Sequence, residues 1–426
     1  MRGRWRRGGA GAVRCAVLGA FLGACAGTGT GSGTGGASGT VGAPGTGAGA
    51  AGAGTSGGAG TAAAAAGLPV VGTPAWMVPL ALRGDAVVFL EQATLARVLV
   101  RDAVTEGDAA RDAVTLVEPD GRKIWTVRVW PAPGAATLTA PPVPMPDGGA
   151  VLCTDRGLAR VDVAGNHRWK IDAPPCIAAA RGRLTPLVAL LGGELRTLDQ
   201  EGAPIWVAPA AGASALAVLA DASVAVAGSG LVRAYDGFGR VAWEERGAGL
   251  DGPIVATTDG AAIVAATAPA APGEAPGRVV RLKAPLPPAP PPPGTTAVPG
   301  TPAASPLPAP AHLRVGSAGR PAVGLPSGLF AVDDAGTLEV FGTDGAPRWK
   351  AACARAALVV FGEVACAAAT GVRAFRADGT LMAEADFGGA AVAGALATQE
   401  WLFAVTRAAD GAYALRGATR PPLPPR

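Results

Sequence analysis

The stretch from Val117 to Trp125 reads VEPDGRKIW, and phrases of the same layout recur along the chain. Each copy places a tryptophan four residues after a glycine, and four of the five copies place an acidic residue three positions before that glycine. Self-similarity of this kind is the signature of a repeat architecture. The other copies are VDVAGNHRW (Val161 to Trp169), LDQEGAPIW (Leu198 to Trp206), YDGFGRVAW (Tyr235 to Trp243) and GTDGAPRW (Gly342 to Trp349).

The phrase has the layout of a β-hairpin. An apolar strand leads to an acidic residue that can accept hydrogen bonds from turn amides, and the glycine supplies a positive φ before the next strand. Successive tryptophans lie 44, 37, 37 and 106 residues apart, and the last interval is two repeats plus an insertion. A degenerate copy, FRADGTLMA (Phe375 to Ala383), keeps the glycine and lacks the tryptophan. The predicted turn glycines are Gly121, Gly165, Gly202, Gly239, Gly345 and Gly379.

Two such hairpins make a four-stranded blade, and blades must stack around an axis to bury their faces. The sequence therefore predicts an all-β, single eight-bladed β-propeller with four-stranded antiparallel blades, and seven blades is the alternative count. Residues 72–78 also carry the glycine-to-tryptophan spacing without a blade before them, so we expect them to form the outer strand of the last blade. The expected blades are 79–130, 137–171, 175–208, 213–246, 250–316, 320–351, 355–386, and 389–418 with 72–78.

These phrases resemble the PQQ-type, or quinoprotein-like, propeller repeats, whose signature is D-x-x-T-G-x-x-x-W. The resemblance covers about 350 residues, from Val70 to about Arg420, although the threonine is absent from every copy. It implies that the tryptophans dock one blade on the next and are structural. The docking tryptophans are Trp76, Trp125, Trp169, Trp206, Trp243 and Trp349.

The amino terminus is typical of an exported lipoprotein. A cationic segment is followed by an apolar core of ten residues, Cys15 to Ala24, which is too short to span a bilayer. Leu22-Gly23-Ala24-Cys25 resembles the bacterial lipobox, which implies lipidation of Cys25. An ordinary secretory signal with a chance cysteine is the alternative. The expected organisation is a signal peptide at 1–24, a tether at 25–68, the propeller at 69–420 and a tail at 421–426.

The tether consists almost entirely of glycine, alanine, threonine and serine, which offer too little side-chain surface to fold. About 43 residues of flexible coil reach about 35–40 Å. Five of the 36 basic residues precede Cys25, which leaves 31 basic and 32 acidic residues in the mature chain. A near-neutral protein has no strong electrostatic attraction to phosphate backbones, so nucleic acid is not an expected partner.

Two insertions interrupt the repeats. The fifth blade carries a proline-rich segment at 284–310, which must leave the sheet because proline cannot donate to a strand ladder. It is either a docking peptide or a tolerated loop. The first blade carries a charged insertion around Arg101 to Arg111, in which RDAVT occurs twice, and we expect a solvated loop there.

Four cysteines remain after export and lipidation, and an even set in an oxidising compartment favours disulfides. Cys353 with Cys366 would bridge the first two strands of blade seven, and Cys153 with Cys176 would link blades two and three. The sequence does not determine this connectivity, and free thiols are the alternative. His167, expected in a turn, and His312 have no neighbours at metal-ligand spacing. We predict no catalytic residue, no metal and no cofactor, with PQQ and calcium disfavoured.

Three functions are compatible with these features. Lipobox, tether and propeller together resemble the BamB-like lipoproteins of outer-membrane β-barrel assembly. That resemblance implies a monomeric, periplasm-facing outer-membrane lipoprotein that binds envelope proteins without catalysis. The alternatives are a PQQ-dependent dehydrogenase and a cell-surface adhesion or carbohydrate-binding propeller.

Overall fold

Short apolar runs separated by glycine-containing turns form strands along almost the whole described chain. The computed structural model describes residues 70–420 apart from 85, 94–96, 132, 248, 267–277, 284–309, 316–319, 335, 354 and 359–362. The expected signal peptide, Cys25, the tether, almost all of the proline-rich segment and the C-terminal tail lie outside the described residues. No helix of the described part is long and apolar enough to cross a membrane.

The described residues form 33 short strands and one 3-10 helix, Pro326–Gly328. In chain order the strands are β1 (Val70–Val71), β2 (Thr73–Leu80), β3 (Leu90–Gln92), β4 (Val98–Glu106), β5 (Ala109–Val117), β6 (Lys123–Arg128), β7 (Val143–Pro144), β8 (Ala150–Thr154), β9 (Gly157–Val161), β10 (His167–Asp172), β11 (Cys176–Ala180), β12 (Leu187–Leu191), β13 (Glu194–Leu198), β14 (Pro204–Pro209), β15 (Ala215–Val218), β16 (Val224–Gly228), β17 (Leu231–Tyr235), β18 (Val241–Arg246), β19 (Ile254–Ala256), β20 (Ala261–Ala266), β21 (Arg278–Lys283), β22 (Ala311–Val315), β23 (Arg320–Gly324), β24 (Phe330–Asp334), β25 (Thr337–Phe341), β26 (Pro347–Ala352), β27 (Arg355–Leu358), β28 (Val364–Ala367), β29 (Gly371–Phe375), β30 (Leu381–Asp386), β31 (Ala391–Ala397), β32 (Trp401–Arg407) and β33 (Tyr413–Thr419).

These strands form eight antiparallel blades, which confirms the predicted fold and excludes the count of seven. Blades 1 to 7 each take four consecutive strands, beginning at β3, β7, β11, β15, β19, β23 and β27. Blade 8 consists of β31, β32, β33 and, as its outer strand, β2. The first strands of successive blades lie side by side, and β31 also contacts β3, so the ring is closed.

Closure joins the two ends of the described chain in one blade, as the sequence predicts. Strand β2 pairs antiparallel with β33, from Thr73 opposite Thr419 to Leu80 opposite Tyr413. The structure also shows a second contact, which was not predicted. In it, β1 pairs in parallel with β30, the outer strand of blade 7. Gly72 lies between β1 and β2 in the chain, and a Cβ atom there would lie 2.9 Å from the Thr419 carbonyl oxygen. The N-terminal segment therefore ties blade 7 to blade 8.

The core lies between the blades. Every residue of middle strands such as β8, β9, β12 and β16 is buried, whereas outer strands alternate, as in β10. One apolar cluster joins Val188 and Leu190 of blade 3 to Val224 and Tyr235 of blade 4. Burial of such surface is the main stabilising term in folding. Because each cluster is shared, no blade has a complete core of its own.

The charged insertion in blade 1 is an extended hairpin, so the prediction of a solvated loop is wrong. Strands β4 and β5 are each nine residues long, and the two RDAVT copies pair with each other across the ladder. Arg101 of one copy forms an ion pair of 2.8 Å with Asp112 of the other. The buried Asp102 accepts hydrogen bonds from the Thr115 hydroxyl and from the Ala81 amide. Because these charges are paired across the ladder, polar residues can continue the strand, and the charged segment does not form a loop.

Candidate functional site

The docking tryptophans join consecutive blades through their indole N–H groups. In five of the six, Nε1 donates to the carbonyl oxygen of the residue two positions before the turn glycine of the next blade. A buried or half-buried indole N–H normally needs such an acceptor. The contacts are Trp76 to Pro119 (2.7 Å), Trp125 to Val163 (2.9 Å), Trp169 to Gln200 (2.8 Å), Trp206 to Gly237 (3.0 Å) and Trp349 to Ala377 (2.8 Å).

The indole rings lie directly beneath the turn glycines of the neighbouring blade. At Gly121, which has a φ of 89°, a Cβ atom would lie 2.7 Å from the Trp76 ring. The same close approach occurs at Gly165, Gly202, Gly239 and Gly379. Glycine serves here both for its positive φ and for the space that it leaves to the ring. These tryptophans therefore have a structural contact in this fold.

Three positions depart from this pattern, and the topology explains each. Trp243 is buried, but its Nε1 has no acceptor among the described residues, because the corresponding turn of blade 5 falls in 284–309. Gly345 has a φ of 74° in the turn between β25 and β26, and β22 before it carries no tryptophan to dock there. Blade 7 has Ala383 in place of a tryptophan, since blade 8 is closed by chain ends and has no turn to receive one.

The four cysteines of the propeller form two disulfides, in the pairs that the sequence analysis considered. Cys153 of β8 is bonded to Cys176 of β11, with Cα atoms 5.3 Å apart, which links blades 2 and 3. Cys353 is bonded to Cys366 of β28, with Cα atoms 5.1 Å apart. Cys353 lies before β27 and not on it, so this bond fixes the connection between blades 6 and 7 to the second strand of blade 7.

The titratable groups of the described residues are dispersed. His167 begins β10 and does not lie in a turn, because the turn ends at Asn166; burial lowers the pKa of its imidazole. His312 lies on β22. Among the described residues, no three His, Cys, Asp or Glu side chains approach closely enough to hold a metal ion.

Glu91 is the one described carboxyl group whose pKa is raised far from its ordinary value. It lies on β3, the innermost strand of blade 1, and its side chain is half-buried. Desolvation by burial raises its pKa to about 7. Asp162, at the docking turn of blade 2, behaves differently. Asp162 accepts hydrogen bonds from the amides of Asn166 and Ala164, and the first of these is the main reason that its pKa is lowered.

A groove on one face of the disc combines charge, depth and exposed apolar surface. This face, which we call the turn face, carries the docking turns and the connections between first and second strands. The groove lies between blades 2 and 3 and has a volume of about 700 Å³. That volume is within the range of about 300–1,000 Å³ for ligand-binding clefts. Its walls include Asp147, Arg160, Arg168, Trp169, Arg181, Arg183, Leu184 and Glu201.

Four arginines give the groove its positive charge. Arg160 is buried and pairs with Asp147; desolvation acts to raise the pKa of this carboxyl, but the hydrogen bond from Arg160 and the Gly149 amide lower it below its usual range. Arg168 lies 3.8 Å from Asp162. Arg181 and Arg183 are exposed on the connection between β11 and β12, and they form no ion pair with a described carboxylate. Two guanidinium groups of the groove are thus unneutralised.

Exposed apolar side chains border the groove. Leu184 is 76% exposed and Phe238, in the docking turn of blade 4, is 78% exposed. Leu184 lies against the turn that carries Phe238, since a Cβ atom at the preceding residue, Gly237, would lie 3.3 Å from Leu184 Cδ1. The Arg240 guanidinium lies 5.8 Å from the centre of the Phe238 ring. Large side chains grouped in this way on a surface are typical of an interaction site.

This groove was not predicted from the sequence. Its residues come from separate segments of two blades, so no local motif brings them together. The available signal was the run Arg181-Gly-Arg-Leu184, in which two arginines and a leucine occupy a connection longer than most of its counterparts. The docking turns, in contrast, are local and repeat, and the sequence placed all of them.

No family model and no curated protein sequence matches the chain. Among solved structures, it is similar to Chaetomium thermophilum Sqt1 bound to the N-terminus of the ribosomal protein L10, with a TM-score of 0.50 at 13% identity, covering 80% of this chain and 99% of that one. BBS1N in complex with ARL6DN has a TM-score of 0.43 at 10% identity, covering 83% and 98%. The Neurospora crassa Pan2 WD40 domain has a TM-score of 0.39 at 10% identity, covering 65% and 86%.

The likeness to Sqt1 concerns the fold alone, because an identity of 13% carries no function. The PQQ-type assignment stays a prediction from the docking phrase. What the structure and the comparison establish together is a closed, eight-bladed β-propeller with a basic groove on its turn face.

Proposed function

We propose that this chain is a non-catalytic scaffold, held at the bacterial outer membrane by a lipid on Cys25, that binds other envelope proteins through its turn face. The observation that carries the proposal is the surface around Leu184 and Phe238, where large apolar side chains stay exposed beside unneutralised arginines. Exposed apolar surface of this kind costs solubility unless a partner covers it. A protein partner offers both the apolar contact and the negative charge that this surface lacks.

The closed ring supports the same proposal. Docked indoles, shared clusters and two disulfides hold the connections of the turn face on a rigid disc. A preorganised surface loses little conformational entropy when a partner binds. Sqt1, the similar propeller, was crystallised with the N-terminus of a ribosomal protein bound, which is a precedent for a short protein segment as the ligand of such a disc.

The cellular setting is inferred from the sequence. The lipobox-like Leu22 to Cys25, the tether to Leu68 and the docking phrases together favour a periplasm-facing outer-membrane lipoprotein with a BamB-like role in β-barrel assembly. The near-neutral mature chain favours protein over nucleic acid as partner. Neither PQQ nor calcium is part of this proposal.

Site-specific crosslinking in whole cells tests the binding surface. A photoreactive amino acid at Phe238 reports on the turn face, and the same residue at Val87, which is 53% exposed in the connection from β2 to β3 on the opposite face, is the control. We expect a discrete crosslinked envelope protein from position 238 and none from position 87. Equal crosslinking at the two positions, or none at position 238, would contradict the proposal.

The anchor has a separate test. Cys25→Ser removes the thiol that would carry the lipid, so we expect the protein to move from the membrane fraction to the periplasmic fraction and to lose labelling by a palmitate analogue. Unchanged fractionation and labelling of the variant would refute lipidation at Cys25. That outcome would leave the binding surface untouched.

A further inference from the structure

We propose that the groove between blades 2 and 3 binds an extended, acidic segment of a partner protein, whose carboxylates pair with Arg181 and Arg183 and whose apolar side chain packs on Leu184 and Phe238. This inference rests on the proposed function and specifies the ligand of its binding surface.

The charges of the groove select the sign of the ligand. Of its four arginines, Arg160 and Arg168 already face Asp147 and Asp162. Arg181 and Arg183 add two positive charges, and Glu201 of the same blade adds one negative charge, so the lining of four arginines and two carboxylates stays positive overall. The planar guanidinium group presents paired donors that match the two oxygens of a carboxylate. An anionic ligand is therefore favoured in a protein whose mature chain is close to neutral overall.

The apolar border favours a protein segment over a small anion. Leu184 lines the groove itself and adjoins the docking turn that carries Phe238. Inorganic phosphate would use the arginines alone and would leave both apolar side chains exposed. A peptide with alternating acidic and apolar residues would use both features, because successive side chains of an extended chain point to opposite sides.

The architecture holds these groups in place. Trp169, one wall of the groove, is fixed by its hydrogen bond to the Gln200 carbonyl oxygen, and the disulfide between Cys153 and Cys176 joins the two blades beneath. The groove is thus a feature of the blade interface, formed before any ligand binds. Binding needs only the side chains of the exposed connection to adjust.

Fluorescence anisotropy with a labelled synthetic peptide of alternating aspartate and leucine tests the inference on the full mature protein. We expect saturable binding that weakens when the salt concentration rises, and no binding of the peptide with lysine in place of aspartate. Arg181→Glu with Arg183→Glu should weaken binding at least tenfold, and Leu184→Ser at least threefold. Arg83→Glu, the same charge reversal on the opposite face, should change binding less than twofold.

Several outcomes would overturn the inference. Binding that survives the double reversal, or no binding at all, would show that the groove does not take acidic segments. If inorganic phosphate or phosphatidylglycerol vesicles compete fully and Leu184→Ser has no effect, the ligand is an anionic group and not a peptide. Unchanged thermal melting of each variant shows that the fold is intact. If crosslinking from position 238 in cells persists in the double variant, the proposed function stands, but an acidic segment is not its ligand.

Discussion

Two constraints meet at Gly121, the turn glycine of blade 1. Its φ of 89° is unfavourable for any side chain, and its Cα lies over the Trp76 indole so closely that a Cβ atom would lie 2.7 Å from the ring. Gly411 has a similar φ of 82° with nothing within 4 Å of a Cβ atom. Substitutions at the two glycines can therefore separate the free-energy cost of the backbone conformation from the cost of displacing a docked tryptophan.

Gly121→Ala should lower the free energy of unfolding by about 2–4 kcal/mol, because left-handed strain and displacement of the indole add together. Gly411→Ala should lower it by about 1–2 kcal/mol, from backbone strain alone. Urea denaturation of the two variants measures the difference. Equal losses in both would show that the indole does not press on the turn.

Glu91 couples stability to pH in the direction opposite to most carboxylates. Its pKa is about 7 in the folded protein and close to 4.5 when exposed, so folding favours the protonated form. The stability that Glu91 contributes is fully present below about pH 4.5 and is lost as the pH rises towards 7. The loss in the free energy of unfolding is at most about 3 kcal/mol. Glu91→Gln should therefore stabilise the protein at pH 8 and have little effect at pH 4.5. Denaturation curves at both pH values decide this, and parallel curves for the two proteins would contradict it.

Among the secondary-structure elements, the hairpins that depend on local, repeated residues were predicted from the sequence. The docking phrase located six turn glycines and the strands on either side, because a hairpin depends on residues a few positions apart. It did not predict the hairpin of β4 and β5 in blade 1, where the ion pair between Arg101 and Asp112 neutralises charges inside a ladder. It also missed β1 and the groove between blades 2 and 3. Those features depend on contacts between distant segments, for which a single sequence carries no periodic signal.

The end of the last strand is fixed by a buried ion pair. Arg420 donates two hydrogen bonds to Glu363, of 2.7 and 2.9 Å, and a third to the Thr398 carbonyl oxygen. Both side chains are buried, so neither charge can return to water in the folded state. The pair therefore joins the connection between β27 and β28 of blade 7 to the end of β33 in blade 8, beside the closure of the ring.

Arg420→Ala should destabilise the protein by about 3–5 kcal/mol, because it leaves the Glu363 carboxylate buried without a partner. Replacing both residues, Arg420→Met with Glu363→Leu, should restore much of that loss, since no unpaired charge remains. Thermal and chemical denaturation of the single and double variants measure the recovery. A double variant as unstable as the single one would show that the hydrogen bond to Thr398, and not the charge, matters most.

At the scale of the whole molecule, stability depends on a closed ring whose last blade borrows its outer strand from the N-terminal segment. Strand β2 contributes Val78 and Leu80 to the cluster around Phe403 and Leu415, and Trp76 to the docking turn of blade 1. Without β2, the ladder edge of β33 would be open and blade 8 would lose the Trp76 contact with the docking turn of blade 1. An exposed edge of this kind favours aggregation.

A chain that begins at residue 69 should therefore melt like the mature protein. One that begins at residue 81 loses a whole strand and should aggregate or melt at least about 10 °C lower, since each kcal/mol lost shifts the melting point of a domain of this size by about 1–2 °C. A circular permutant separates loss of β2 from shortening of the chain. It begins at residue 86, continues to Arg420, and joins a short glycine-serine linker to residues 70–84. Because Thr73 already pairs with Thr419, the linker has little distance to span, and the permutant should regain the melting temperature of the chain that begins at residue 69. If it melts as low as the truncated chain, or if truncation at residue 81 has no effect, closure by β2 does not stabilise the ring.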